Sequence, residues 1–347
     1  MPNEDNNPCK YIFVCGLHRS GTTLLARNIG NLKDCTRFKD TGVFMDEGQW
    51  LQDVYPPDRA YGGTGRFGFD PRAHLTETSA LLTPDNIAKL RRIWQSYWDQ
   101  DKSIRLEKTP GNLIMTRFLQ AAFPNAYFIV VRRHPLPVSM ATQKWKINLS
   151  SLHRLFEHWL RCYGIFEEDK KYLKHVYELK YEDYINNPDQ YHEEIARFIG
   201  TRVPDAPTED KLHVTPLPPA DVPERRMEEA SRAYNDKYFA RWSDLLNNSV
   251  FKGYYRYVAV KYESQFSKYG YSLLSGFDLT GGLVRTNKRI DAIIGPFYCC
   301  GANAWALVQR ISRRCKMHGK RTIRTILPEF VFTRIRQVRR RESFGKA

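Results

Sequence analysis

Tyr11-Ile12-Phe13-Val14-Cys15-Gly16-Leu17-His18-Arg19-Ser20-Gly21-Thr22-Thr23-Leu24-Leu25 decides how this chain folds. The first five residues form an unbroken apolar run, as expected of a strand buried on both faces. Residues 22 to 32 follow a helical pattern, and glycines flank the polar residues in between. A strand, a glycine-bracketed loop and a helix in that order gather backbone N–H groups and a helix N-terminus around anionic oxygens, as in a P-loop. In a nucleotide triphosphatase a lysine directly follows the second glycine; here Thr22 takes that place and the cation moves to Arg19. A shifted cation implies a ligand charged differently from a magnesium-bound triphosphate. The second apolar strand, Ala126 to Val131, leads into Arg132 and Arg133 rather than a metal-holding acid. Both features weigh against the alternative of a P-loop kinase or hydrolase, and no metal is expected.

Outward from this unit, strands and helices alternate. Thr83-Pro84-Asp85 starts a helix predicted to run through Trp98, with threonine as cap and proline in the first turn. Strands are expected at Ile104 to Glu107, Ala126 to Val131 and Val176 to Leu179. Helices are expected at Asn112 to Phe123, Pro135 to Lys146, Ser151 to Leu173 and Pro188 to Ile199, the last closed by Gly200. The alternation predicts an α/β, P-loop three-layer fold with a central, mostly parallel sheet flanked by helices. Six prolines between Pro204 and Pro223 mark a connector, followed by helical patterns at Arg225 to Asn247 and Phe251 to Lys268.

The match at Arg19-Ser20-Gly21-Thr22-Thr23 resembles the first signature of the sulfotransferases that use 3'-phosphoadenosine-5'-phosphosulfate (PAPS), closest to bacterial-type members and more remotely to tyrosylprotein and heparan sulfotransferases. Leu106-Glu107-Lys108-Thr109-Pro110 resembles the family's lysine motif, and Val130 to Pro135 the strand and turn that bind the 3'-phosphate. Leu179-Lys180-Tyr181-Glu182-Asp183 and Ile195 to Gly200 extend the likeness, which ends at Tyr269 to Leu273. The resemblance implies transfer of a sulfonate from PAPS to an acceptor hydroxyl, with residues 1–273 as the sulfotransferase domain and 274–347 as a basic extension.

Sulfonyl transfer needs a cation on the leaving phosphate oxygen, an in-line approach and a base for the hydroxyl. Arg19 is the expected leaving-group cation and Lys108, at a strand's C-terminal rim, the contact to the sulfonate or bridging oxygen. Glu47 leads as base, in a Gly- and aromatic-rich stretch, with Asp46 and the pair His74/Glu77 in reserve. Donor contacts are expected from His18, Arg19, Ser20, Gly21, Thr22 and Thr23. Arg133, directly before the His-Pro turn, is assigned to the 3'-phosphate, with Arg132 as the alternative. In much of the family a serine lies eight residues beyond that arginine. Here the position holds Ala141, so the hydroxyl partner is Ser139 or Thr142. His158 reads as a packed helix residue. Aromatic residues between Phe44 and Phe69, interleaved with glycines, suit a sugar ring, so a carbohydrate or glycolipid acceptor ranks first and a phenol or tyrosine second.

The formal net charge of +16 is unevenly placed. From Arg285 onward 16 Lys/Arg face three acids, leaving the preceding 284 residues almost balanced. The tail therefore suits an anionic membrane surface, with nucleic acid less favoured, and a non-catalytic binder acting through it is the remaining alternative. Residues 292 to 308 are apolar but hold Gly295, Pro296 and Gly301, so a buried or interfacial segment is expected rather than a span. Seven cysteines with no Cys-x-x-Cys pair argue against disulfides or zinc. With a polar start that lacks a signal-peptide pattern, they predict a cytoplasmic, reduced protein, peripheral on a membrane if the tail docks.

Overall fold

Every strand of the expected alternation is present, and one more. The computed structural model describes residues 9–143, 149–204, 224–274 and 288–326. In chain order the elements are β1 (Lys10–Cys15), α1 (Thr22–Ile29), β2 (Cys35–Arg37), α2 (Pro84–Gln95), β3 (Ile104–Lys108), α3 (Thr116–Ala122), β4 (Ala126–Arg132) and α4 (Pro135–Gln143). They continue with α5 (Leu152–Asp169), β5 (Val176–Lys180), α6 (Tyr181–Asn186), α7 (Pro188–Ile199), α8 (Glu224–Asn247), α9 (Lys252–Ser267) and α10 (Lys288–Ile326). The strands form one all-parallel sheet in the order β2-β3-β1-β4-β5. After β1 the chain builds outward on one side through β2 and β3, then crosses to β4 on the other. The C-terminal end of β1 is thus a topological switch point, where open α/β sheets bind ligands.

Strand periodicity divides the core into two layers. Phe13 and Cys15 of β1 and Phe128 and Val130 of β4 pack with the aromatic cluster of α2, α3 and α5, including Trp94, Phe123, Trp159 and Phe166. Ile12, Val14, Ile129 and Val131 face the opposite way, onto Leu25 and Ile29 of α1 and Ile195 and Ile199 of α7. All of these strand side chains are buried, which explains the uninterrupted apolar runs in the sequence.

Local differences from expectation have local causes. Helix α2 is capped by Thr83, whose Oγ1 accepts the N–H of Asn86 at 3.2 Å, but ends at Gln95. Trp98 turns inward, donating from Nε1 to the Leu106 carbonyl at 2.9 Å and stacking on Phe38. The helix expected over 112 to 123 is divided: a 3-10 turn (Pro110–Ile114) precedes α3, with non-helical Met115 between them. Within that turn the Asn112 side-chain amide donates to Glu107. Gly200 ends α7 in the left-handed region, as expected. The predicted helix end at 144–146, most of the proline-rich connector and residues 327–347 lie outside the described residues.

Candidate active site

The loop after β1 is shaped by two glycines. Gly21 has φ 94°, and a Cβ there would lie 2.4 Å from the ring of Tyr181; Gly16 packs so closely on the Val131 carbonyl that a Cβ would approach to 2.6 Å. Arg19 itself takes the left-handed conformation, φ 71°. Its carbonyl accepts a hydrogen bond from Nη1 of Arg133 at 2.9 Å, while the Arg133 guanidinium lies 4.2 Å from the Tyr181 ring centroid. Arg133 is buried and joined to the P-loop. Arg132, the last residue of β4, forms ion pairs with Glu167 and Glu178 instead. The two arginines that the sequence left as alternatives therefore have different surroundings.

The segments that resemble family motifs are bonded to one another. The N–H of His134 donates to Oε1 of Glu182 at 2.9 Å, and His134 Nε2 bonds the carbonyl of Ser272 at 3.0 Å. Trp159 and Tyr163 of α5 donate to the carbonyls of Arg133 and Val131. The end of β4 is thus held from both sides. In α4, Thr142 Oγ1 donates to the Val138 carbonyl of its own helix at 2.7 Å, whereas buried Ser139 Oγ has no hydrogen-bond partner among the described residues. Ser139 and Thr142 face a small cavity shared with His18 and His158.

On the other side of β1, register places Lys108 beside Val14 at the sheet's C-terminal rim. Lys108 Nζ donates to Oε1 of Glu47 at 2.9 Å, and both side chains are almost fully enclosed, 6% and 5% exposed. A second bond runs from Lys108 to the Met45 carbonyl at 3.3 Å. That carbonyl is presented by a strained turn, because Met45 and Asp46 are both left-handed, φ 58° and 50°. An ammonium has three N–H donors, so one remains for a ligand oxygen. Glu47 Oε2 accepts from Nε2 of Gln49 at 2.7 Å, Gln49 Oε1 accepts the N–H of Asp58 at 2.9 Å, and the Asp58 carboxylate meets His18 Nε2 at 3.2 Å. A polar relay therefore joins Lys108 to the phosphate loop.

Beneath it lies a group the sequence reading did not use. Glu107, fully buried, accepts from the N–H of Gly48 at 2.8 Å and from Thr109 Oγ1 at 2.5 Å, and also holds Asn112. Burial pushes its carboxyl up to about 7 against these hydrogen bonds. Gly48 is required here because a Cβ would fall 2.7 Å from Glu107 Oε1. Glu107 and Gly48 thus fix the backbone that presents Glu47. Their signal in sequence was only adjacency to Lys108 and Glu47.

The reserve acids are engaged otherwise. Asp46 Oδ1 accepts from Thr41 N and Oγ1, at 2.9 and 2.7 Å. His74 bonds Asp169 at 3.0 Å and Glu77 pairs with Arg117, so neither contacts the Lys108 relay. His158 is packed, as expected, against Phe67 with Nε2 accepting the Gly68 N–H at 3.2 Å. Of the aromatic stretch, Tyr55 and Phe67 are core residues, while Tyr61 lines a surface cleft. No group of three or more potential metal ligands occurs among the described residues.

Residues 11–205, more than half of the chain, match the model of the Sulfotransferase family. No curated protein matches the chain. Among solved structures, a sulfotransferase from Mycobacterium tuberculosis is 17% identical over 57% of this chain and 69% of its own, with a TM-score of 0.37. The sulfotransferase domain of the Synechococcus PCC 7002 olefin synthase is 16% identical over 69% and 90%, TM-score 0.40. Retinol dehydratase, in complex with androsterone and the inactive cofactor PAP, is 15% identical over 67% of each chain, TM-score 0.31. The glycine-shaped loop at the switch point, with its arginine in place of the triphosphatase lysine, and the family match spanning β1 to α7 lead to one assignment: this chain belongs to the sulfotransferase family.

Proposed function

We propose that the protein transfers a sulfonate from PAPS to a hydroxyl of a carbohydrate or glycolipid, with a phenolic hydroxyl as the second acceptor class. The buried Lys108–Glu47 pair beside the phosphate loop carries this reading. In the proposed reaction the acceptor oxygen attacks sulfur in line with the leaving phosphate oxygen. Glu47 accepts the hydroxyl proton, the sulfur–oxygen bond to the donor phosphate breaks, and Arg19 with Lys108 stabilises the charge gathering on that bridging oxygen. Backbone N–H groups of residues 18 to 23 hold the 5'-phosphate at the start of α1. Arg133 and Ser139 hold the 3'-phosphate; Arg133 is joined to the P-loop and Ser139 Oγ is unsatisfied, whereas Arg132 and Thr142 are engaged elsewhere. In this proposal residues 1–273 do the chemistry and 274–347 locate it. Calorimetry is the test: PAPS or its desulfonated product should bind without magnesium and much more tightly than ATP. Magnesium-dependent ATP binding with no response to the 3'-phosphorylated nucleotide would sink the proposal.

A second reading concerns place. Among the described residues no helix is long and apolar enough to cross a membrane. Yet α10 exposes Ile293, Phe297, Trp305, Val308 and Ile311, with Phe297 74% accessible, along one broad face. That face, together with the basic excess beyond residue 285, fits peripheral docking on an anionic lipid surface.

A further inference from the structure

Tyr61, Phe69 and four arginines border a cleft of about 740 Å³ between the loop of residues 61–72, the start of α5 and helix α10. The arginines are Arg66 and Arg72 from the loop, Arg154 from α5 and Arg310 from α10. Asp70 is the one carboxylate that lines the cleft among the described residues. Arg72 binds it through Nε at 3.0 Å and Nη2 at 2.6 Å, and this hydrogen bonding holds Asp70 down to about 2. Arg154 reaches Glu157 through Nη1 at 2.8 Å and lies 4.1 Å over the Phe69 ring, and Arg310 forms no ion pair with a described residue. A guanidinium has five donors, more than these pairings of Arg72 and Arg154 use. The α10 wall is fixed in place, since Ser151 Oγ donates to Asn303 Oδ1 at 2.6 Å and Ala306 is buried.

Four guanidinium groups around a volume within the usual range for small-ligand sites favour an anionic occupant. Arginine forks suit the flat or tetrahedral oxygens of carboxylate, sulfate or phosphate, and the rings of Tyr61 and Phe69 supply faces for an apolar or sugar surface. The cleft also shares a wall residue with the surroundings of the reaction site. Tyr61 lines a second, smaller cavity together with Gln49, Asp58 and Thr109, which belong to or adjoin the Lys108–Glu47 relay.

The geometry points to an acceptor that is itself anionic: its charged group is held by Arg66, Arg72, Arg154 and Arg310, while its hydroxyl passes Tyr61 toward Glu47. This inference rests on the proposed sulfonyl transfer for the meaning of "acceptor", but the cleft's preference for anions can be read separately.

Calorimetry with the full chain in the presence of the desulfonated donor is the test. One arm compares a sulfated disaccharide with its desulfated counterpart, and the other compares glycerol 3-phosphate with glycerol. Tighter binding of the charged member by about tenfold or more in the first arm identifies a glycan anion, and in the second a lipid headgroup phosphate. Arg310→Glu and the exposed Arg72→Gln should each remove that preference while donor binding stays at its normal strength. The inference is overturned if charged and neutral members bind alike in both arms, or if the preference survives in both variants. A wild-type chain that prefers the charged sugar yet ignores the 3'-phosphorylated nucleotide would leave the cleft standing and remove the donor proposal instead.

Discussion

Lys108 Nζ lies 2.9 Å from Glu47 Oε1, and the two groups, 61 residues apart in sequence, are enclosed together at the C-terminal rim of the sheet. A buried ion pair is poor evidence for stability, because the desolvation of both charges offsets their attraction. Under the proposed reaction the pair serves the chemistry instead, which substitution can test. Lys108→Ala should lower kcat by about 10²- to 10³-fold, the usual cost of removing one preorganised electrostatic donor, with little change in donor affinity. Glu47→Gln should lower kcat by about 10²- to 10⁴-fold and abolish the acidic limb of the pH–rate profile. Steady-state kinetics of both single variants and the double variant check this, and the double variant should be less impaired than the product of the two. Near-normal kcat with an unaltered acidic limb in Glu47→Gln would exclude it as base.

Arg132 and Arg133 should separate cleanly. Arg133→Ala should weaken a 3'-phosphorylated nucleotide by about 10- to 100-fold, the worth of a charge-assisted hydrogen bond, and hardly affect the same nucleotide without the 3'-phosphate. Arg132→Ala should leave both affinities unchanged and lower the melting temperature, because Glu167 and Glu178 lose one of the two cations they share and keep only Lys170. Equal losses for both nucleotides in Arg133→Ala would refute its assignment.

Acid should destabilise the fold through two buried histidines. Burial pushes His134 down to about 4 and His158 to about 3. His134 Nδ1 accepts the N–H of Leu136 and His158 Nε2 that of Gly68, so protonation would break a hydrogen bond in each case. In the unfolded chain both take up a proton near pH 6.5, so below that value the unfolded state binds more protons than the folded one. Stability is then fully present above about pH 6.5 and falls as the pH drops toward the folded values, by at most about 1.4 kcal/mol per pH unit for each histidine. Urea unfolding at about pH 7.5 and about pH 5 should show the loss, and His158→Gln, whose amide oxygen can still accept from Gly68, should reduce the slope. An identical slope in that variant would show that His158 is not responsible.

Docking through α10 predicts salt-reversible sedimentation with vesicles containing phosphatidylserine and none with neutral vesicles. The double variant Phe297→Glu/Trp305→Glu, on side chains that are 74% and 60% exposed, should lose that binding without a change in melting temperature. If the wild-type chain ignores anionic vesicles, or the variant sediments as before, the exposed face has another purpose.

Much of the architecture was legible because it depends on local patterns. Unbroken apolar runs at 11 to 15 and 126 to 131 could satisfy their backbone only as strands covered on both faces, and the Thr83 cap and Gly200 stop are read from single residues. Strand β2 was missed, since three residues carry no period. So was the end of α2, where Trp98 leaves the helix for a bond to the Leu106 carbonyl that no local pattern announces.

The βα order, the phosphate loop with Arg19 in place of the triphosphatase lysine, and the lysine at a strand end could all be read from the order of residues alone. These are properties of consecutive residues, governed by backbone sterics and hydrophobic periodicity. That Arg133 rather than Arg132 joins the loop, that Glu47 rather than Glu77 meets Lys108, and that Arg310 closes an arginine-lined cleft with Arg66, Arg72 and Arg154 emerges from the packing. Arg132 ends β4 and Arg133 stands in the turn beyond it, so a single position separates their partners; pairings between side chains tens or hundreds of residues apart exist only once the sheet order and the packing of its helices bring them within hydrogen-bond reach.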